Sequence, residues 1–265
     1  MRRLGLAWLG AAAMAPAWVA AQTAQPAIGV VVMHGKGGAP TKHVADLANQ
    51  LQAQGYLVAN LDMPWSGRRE YDVDVATAEA EVEAAMASLR KAGAQKVFVA
   101  GHSQGGVFAL YFGGRHAVDG IVAMAPGGNT GNITYREKLG DAVEQARQQL
   151  ASGKGQEKQR FLDFESARGT FPVVTTAQSY LSWFDPEGAM NQAKAMQVLP
   201  KTLPVLWIAP TGDYPGLLKV KQQMVDALPN NRYTRVLEPS TSHLGAPSAS
   251  VQAIAEWTRS VAAGQ

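Results

Sequence analysis

The sequence predicts an α/β fold with a mostly parallel sheet of about six strands and helices on both faces. Two observations support this prediction. Short apolar runs alternate with stretches of helical spacing, which is typical of parallel sheets whose crossovers are helices. The chain also has 265 residues, of which 46% are hydrophobic. That is enough apolar material to fill the core of one large domain.

The predicted strands are short apolar runs rich in β-branched residues, as in strands buried on both faces. They span residues 28–33, 56–61, 97–100, 120–125, 205–209 and 232–237. The first two stretches between them, 40–54 and 74–92, have apolar residues at helical spacing and end at Gly55 and Gly93. A helix of small residues is predicted over 104–113, and a final helix over 248–262.

One crossover is far longer than a parallel connection requires. Residues from about 127 to 200 are therefore predicted to form a cap, inserted into a single domain that spans 22–265. The insertion has a polar helix over about 135–152, followed by a stretch rich in Phe, Tyr and Trp. These aromatic residues are expected either to pack the cap onto the core or to shape a ligand pocket. Trp183, in the cap, and Trp65 are the candidate pocket residues.

The segment 1–21 is predicted to be a cleaved signal peptide. Arg2 and Arg3 precede an apolar, Ala-rich run, and the small residues at 19–21 suit cleavage before Gln22. The alternative is an uncleaved membrane anchor, because the run is just long enough to span a bilayer. We expect a secreted or periplasmic protein with no stable membrane span after cleavage.

Composition excludes several classes of function. The chain has 0 cysteines, which rules out disulfide frameworks, thiol catalysis and Cys-ligated metals. No His pair has the H-E-x-x-H spacing, so we expect neither a metal nor a cofactor. The net charge of +3 comes without a basic cluster, and two of the basic residues lie in the predicted signal peptide. We therefore expect no nucleic-acid partner.

The motif with a chemical role is Gly101-His102-Ser103-Gln104-Gly105, which follows an apolar strand and precedes a helix. This is G-x-S-x-G in the strand–turn–helix context that it requires. The sharp turn lifts the serine hydroxyl clear of the sheet, and the two glycines leave room for neighbouring backbone. The helix N-terminus then stabilises developing negative charge. Ser103 is the candidate nucleophile.

A glycine-rich turn, His34-Gly35-Lys36-Gly37-Gly38, ends the first predicted strand. Backbone N–H groups in such a turn can bind an oxyanion. We pair the backbone N–H of Lys36 with that of Gln104 as the candidate oxyanion hole. The competing interpretation, a phosphate-binding loop, fails because neither G-x-G-x-x-G nor G-x-x-x-x-G-K-[ST] is present.

These motifs make the chain similar to the α/β-hydrolase superfamily of serine esterases and lipases. The resemblance covers nearly all of 22–265 and implies the α/β-hydrolase fold and serine-hydrolase activity. In this family the triad runs Ser, then acid, then His. Asp213, after the strand at 205–209, and His243, before the last helix, match the family's acid and base. The family's first two antiparallel strands have no counterpart after residue 22.

Other residues compete for these roles. Asp185 lies in the insertion rather than after a sheet strand, and Asp62 ends the second strand; both are less suited than Asp213. His34 and His102 are expected to pack rather than react. Only His243 has the chain order that the resemblance requires.

The sequence thus predicts a serine hydrolase that cleaves carboxylic esters of small molecules through an acyl-enzyme. Three alternatives remain open. The same triad serves amidases or peptidases, and it serves acyltransferases if the pocket excludes water. A non-catalytic binding protein with a hydrolase fold is the third.

Overall fold

A six-stranded parallel sheet forms the centre of the molecule. The computed structural model describes residues 26–264, so the predicted signal peptide lies outside the described residues. The strands are β1 (Ile28–Met33), β2 (Leu57–Leu61), β3 (Lys96–His102), β4 (Gly120–Met124), β7 (Val205–Ile208) and β8 (Arg235–Leu237), with β5 and β6 in the cap. Their order across the sheet is β2-β1-β3-β4-β7-β8. Every neighbouring pair is parallel.

The central strands of the sheet, β1, β3, β4 and β7, are buried on both faces, as their unbroken apolar sequences predict. Side chains alternate along each strand. Val30 and Val32 of β1 therefore belong to the cluster that includes helices α1 (Ala45–Ala53) and α9 (Val251–Ala263). Val31 and Met33 belong to the opposite cluster, with α2 (Val75–Lys91) and α3 (Gln104–Gly113). The predicted fold class is confirmed.

Several element ends differ from the predictions. The last strand is predicted from residue 232 but begins at Arg235, because the Asn231 carboxamide oxygen accepts the N–H groups of Tyr233 and Thr234, each at 3.0 Å. The first helix begins five residues later than predicted, after turns at 40–44. The last helix is preceded by a separate short helix, α8 (Ala246–Ala249).

The interval between β4 and β7 contains helix α4 (Ile133–Ala151), a hairpin of β5 (Lys158–Glu165) and β6 (Gly169–Thr176), and helices α5 (Ala177–Phe184) and α6 (Gln192–Gln197). The antiparallel hairpin is not predicted from the sequence. Phe161, Tyr180 and Phe184 stack in series, with ring centroids 4.5 and 4.4 Å apart. The aromatic residues of the insertion therefore hold the hairpin against α5. After β7 the chain forms α7 (Pro215–Asp226).

Candidate active site

Ser103 occupies the turn between β3 and α3 in a strained backbone conformation. Its φ is 53° and its ψ is −117°, which L residues rarely adopt. A Cβ on Gly101 would lie 1.9 Å from the carbonyl oxygen of Gly105, and a Cβ on Gly105 would lie 2.6 Å from that of Met33. The two glycines are thus required by close backbone packing, as the motif predicts.

The glycine-rich turn after β1 lies directly against this elbow. A Cβ on Gly35 would lie 3.0 Å from the Cβ of Ser103. Within residues 26–264, neither the backbone N–H of Lys36 nor that of Gln104 donates a hydrogen bond to another protein atom. The second of these groups begins α3, where N–H groups point out of the helix. Both candidate oxyanion donors are therefore free for a ligand.

Asp213 and His243 meet through a short hydrogen bond. Nδ1 of His243 lies 2.7 Å from Oδ1 of Asp213, and both side chains are only 5% exposed. The same oxygen accepts the backbone N–H of Tyr214 at 2.7 Å. A carboxylate can only accept, so the imidazole donates through Nδ1. The Tyr214 ring stacks on the imidazole with centroids 4.4 Å apart.

The structure brings Ser103 and His243 to the wall of one cavity. Ser103 Oγ makes no hydrogen bond to any residue in the described range 26–264. In unliganded enzymes the contact between nucleophile and base is often long and tightens when substrate binds. The site thus combines an imidazole held in one orientation with a serine hydroxyl that has no hydrogen-bond partner among the described residues, and both line the same cavity.

His102 supports His243 from beneath. Its Nε2 donates to the backbone carbonyl of His243 at 3.0 Å. Burial, reinforced by the neighbouring His243, lowers the pKa of His102 to about 3. Both ring nitrogens of His34 form hydrogen bonds with backbone groups. Its Nδ1 donates to the Gly35 carbonyl, and its Nε2 accepts a hydrogen bond from the N–H of Met63. Its pKa is lowered by burial. Both rings are neutral and hold loops of the site.

The competing acids do not contact His243. Asp185 lies 3.3 Å from the guanidinium of Arg147, on the cap. Asp62 forms an ion pair with Arg68. Asp213 is thus the carboxylate that the structure brings to His243.

The candidate pocket residues Trp65 and Trp183 do not line the cavity. Each is 1% exposed, and their rings pack edge to face with centroids 5.5 Å apart. Each indole N–H donates at 2.8 Å to a backbone carbonyl, that of His34 and that of Val73 respectively. Large apolar rings with satisfied N–H groups are core residues here rather than contacts for a ligand.

The cavity has a volume of about 400 Å³, within the range of small-molecule sites. One wall is formed by the apolar side chains of Leu217, Val220 and Met224, on α7. The cavity is also lined by Asn129 and Gln192, whose side chains carry carboxamides. None of these wall residues is predicted from the sequence, since no spacing pattern relates α7 to α6.

A buried polar network connects the candidate oxyanion residues to the segment inserted between β4 and β7. Asp163, on β5, is fully buried and forms an ion pair with Lys36. Its other oxygen accepts the hydroxyl of Tyr71 at 2.9 Å. That hydroxyl lies 3.4 Å from the carboxamide of Gln104. Burial lowers the pKa of Lys36, but the Asp163 carboxylate outweighs burial and the net pKa is raised. Lys36 is therefore an ammonium at neutral pH.

Within 26–264, no three His, Asp or Glu side chains converge as metal ligands. No helix in the same range combines the length and apolar character needed to cross a bilayer.

The parallel sheet, the serine elbow and the cavity above the strand ends define an α/β hydrolase. The chain belongs to the alpha/beta hydrolase family, whose sequence model matches residues 30–257. The family resemblance predicted from the sequence is confirmed. No curated protein sequence matches the chain.

Solved structures with this fold include several lipases and esterases. One, reported for the metagenome-derived lipolytic enzymes LipS and LipT, is 18% identical with a TM-score of 0.60, covering 91% of this chain and 95% of that one. Monoacylglycerol lipase of Paleococcus ferrophilus is 19% identical with a TM-score of 0.60, covering 88% and 94%. Est1E of Butyrivibrio proteoclasticus, with bound ferulic acid, is 14% identical with a TM-score of 0.58, covering 91% and 92%. At these identities the likeness is one of fold.

Proposed function

We propose that the protein is an exported serine hydrolase that cleaves carboxylic esters of small molecules through Ser103, His243 and Asp213. The observation that carries the proposal is the Asp213–His243 hydrogen bond of 2.7 Å behind a cavity wall that also includes the serine of a strained elbow. A serine needs an adjacent base to become nucleophilic, and the base needs a group that fixes its tautomer. The arrangement supplies these three roles from three separate loops.

In the proposed reaction, Nε2 of His243 takes the Oγ proton as Oγ bonds to the ester carbonyl carbon. The backbone N–H groups of Lys36 and Gln104 stabilise the resulting oxyanion. The bond to the alcohol oxygen then breaks, and the alcohol leaves with the proton from His243. A water molecule next transfers a proton to the same Nε2 and attacks the acyl-enzyme. The acid is released and Ser103 regains its proton. Asp213 stabilises the imidazolium in both halves of the reaction.

The test is hydrolysis of p-nitrophenyl esters of increasing chain length, with labelling by a fluorophosphonate. We expect turnover and labelling of the wild-type protein, and neither for Ser103→Ala. Ser248→Ala, which removes an exposed hydroxyl on α8, is the matched control and should retain both. An unlabelled wild-type protein, under conditions where a known serine hydrolase reacts, would favour the non-catalytic binding protein instead.

Esters rather than amides are proposed because an ester carbonyl is less stabilised by resonance than an amide carbonyl and is attacked more readily. Matched ester and anilide substrates test this choice, and faster cleavage of the anilide would favour an amidase or peptidase. Release of the acyl group to an added alcohol in preference to water would favour an acyltransferase.

Export is proposed from the signal-like segment 1–21. The test is to express the full chain in a Gram-negative host, separate the periplasm and sequence the N-terminus of the recovered protein. A mature chain that begins at Gln22 supports export. A chain that retains residues 1–21 and sediments with membranes would contradict cleavage.

A further inference from the structure

Gln192 has a buried carboxamide that forms no hydrogen bond with the protein. The residue is 3% exposed, and its amide nitrogen is buried without a partner. Its carboxamide oxygen accepts no hydrogen bond from any residue in the range 26–264. A buried polar group without a partner costs free energy, so native structures rarely keep one without a reason. Because the side chain lines the cavity that contains Ser103, a ligand group can satisfy it.

The backbone around Gln192 is fixed beside the nucleophile. Its N–H donates to the carboxamide oxygen of Asn129 at 3.0 Å, and that oxygen also accepts the N–H of Gly131 at 3.0 Å. Asn129 follows Gly127 by two residues, and a Cβ on Gly127 would lie 3.5 Å from Ser103 Oγ. Asn129 also lines the cavity, and its amide nitrogen donates no hydrogen bond to any of the described residues. The cavity lining thus includes the unpaired carboxamide of Gln192 and an unpaired amide nitrogen on Asn129.

The chemistry of the remaining walls restricts what can meet these carboxamides. Leu217, Val220 and Met224, on α7, make part of the cavity wall apolar, and they also border a smaller pocket together with Gln192. The Glu165 carboxylate also lines the cavity, and its nearest cation, Arg168, is 3.8 Å away and more than half exposed. Lys36 also lines the cavity, but Asp163 neutralises its ammonium, so Glu165 would still repel an anionic substrate group. A hydroxyl is neutral, and it can both donate to and accept from a carboxamide.

We propose that the cavity contains a hydroxyl subsite built on Gln192 and Asn129, and that preferred substrates are small esters bearing a free hydroxyl. The compact apolar part of such an ester packs against the α7 wall. This inference rests on the proposed esterase function and adds its substrate class. The hydroxyl can belong to the alcohol or to the acyl group, and the experiment separates the two.

The test uses isosteric ester pairs in which a hydroxyl replaces a methyl group. On the alcohol side, 2-hydroxyethyl butyrate is compared with propyl butyrate. On the acyl side, propyl 3-hydroxybutyrate is compared with propyl 3-methylbutyrate. In at least one pair the wild-type kcat/KM should favour the hydroxylated ester about tenfold, the size of one good hydrogen bond. The pair that shows the preference identifies the side of the scissile bond.

Gln192→Met removes the carboxamide while keeping the side-chain length. It should abolish the preference by lowering kcat/KM for the hydroxylated ester about tenfold, with less than a threefold change for the methyl isostere. Its Tm should equal or exceed that of the wild-type protein, because the unpaired amide is gone. Gln197→Met, at an exposed position of the same helix, is the control and should keep the preference.

Two outcomes would overturn the subsite: a wild-type protein with no preference in either pair, or a preference that survives in Gln192→Met. The proposed function fails in a different way, with no hydrolysis of any ester. In that case the subsite is decided by binding to Ser103→Ala. The hydroxylated esters should then raise its Tm more than their methyl isosteres do, and equal shifts would refute the subsite.

Discussion

Removing the charge of Asp163 should destabilise the protein strongly, because this carboxylate neutralises a buried ammonium. The residue is 0% exposed. It accepts hydrogen bonds from Lys36 Nζ, from the Tyr71 hydroxyl at 2.9 Å and from the backbone N–H of Phe164 at 2.6 Å. In Asp163→Asn the carboxamide carries no charge, so the Lys36 ammonium keeps only neutral acceptors, among them the Phe164 carbonyl at 3.1 Å. Breaking a buried ion pair by removing one partner costs about 3–5 kcal/mol, a large share of the ~5–15 kcal/mol that stabilises a typical protein.

The assay is urea unfolding at neutral pH, followed by far-UV circular dichroism. Tyr180→Phe is the matched control, since it removes a single hydrogen bond from the same hairpin, the one to the Leu162 carbonyl at 2.6 Å. It should cost about 1 kcal/mol. The double variant Lys36→Met with Asp163→Leu should recover most of the loss, because it leaves no buried charge unpaired.

The pair also has a defined pH dependence. The pKa of Lys36 is raised in the folded protein, so its contribution to stability is complete below the ordinary lysine value of 10.5 and is lost as the pH rises through the folded pKa. The reasoning about the buried charge would be refuted if Asp163→Asn cost no more than Tyr180→Phe, or if the double variant were less stable than Asp163→Asn.

Three further predictions concern the serine elbow, the carboxylate that contacts His243, and the buried His102 ring that supports His243. Gly101→Ala should abolish soluble expression, because the new Cβ would lie 1.9 Å from a backbone oxygen. Gly140→Ala, in α4, adds a Cβ with no atom within 4 Å and should raise the stability of the protein by up to about 1 kcal/mol. Equal soluble yields of the two variants would contradict this packing argument. Asp213→Asn should lower kcat about 10⁴-fold while the fold is retained, and a loss below tenfold would remove Asp213 from the triad. The pKa of His102 falls from 6.5 to about 3 on folding, so its contribution to stability is complete above pH 6.5 and is lost as the pH falls toward 3, by about 1.4 kcal/mol per pH unit. Urea unfolding between pH 4 and 7 should show a shallower slope for His102→Gln, and an unchanged slope would refute the assignment.

The parallel sheet was predictable from the sequence because strands buried on both faces need apolar residues at every position. The run over β1 satisfies this condition, and all six of its residues are buried. The elbow was predictable for a related reason. The backbone contacts at Gly101 and Gly105 admit no Cβ, so the geometry leaves a visible spacing of glycines in the chain.

The cap hairpin was not predictable because its alternation is interrupted. Along β5, Phe161, Asp163 and Phe164 are all buried, so two neighbouring residues are covered and one of the three is charged. A period of two is lost in such a pattern. The partner of Asp163, Lys36, lies 127 positions away, and a lysine in a glycine-rich turn resembles any solvated loop residue. Long-range polar pairing leaves no local pattern in the sequence.

The same absence of local pattern explains the unpredicted cavity walls. Gln192 is one amide among many polar residues of the insertion, and the residue that holds its backbone N–H, Asn129, is distant in sequence. Trp65 and Trp183 stand out in the sequence by size, yet burial by their neighbours decides their role. Composition can identify large side chains but cannot tell which of them face a cavity.

The ion pair between Lys36 and Asp163 constrains how this enzyme scaffold can be recombined. One partner belongs to the main domain and the other to the inserted segment. A chimera that received a foreign insertion with an apolar residue at the position of Asp163 would enclose a cation with no counter-ion, next to the turn that contacts Ser103. Replacing the inserted segment therefore requires a compensating change at residue 36. The main domain and the insertion must be exchanged together or adjusted to each other.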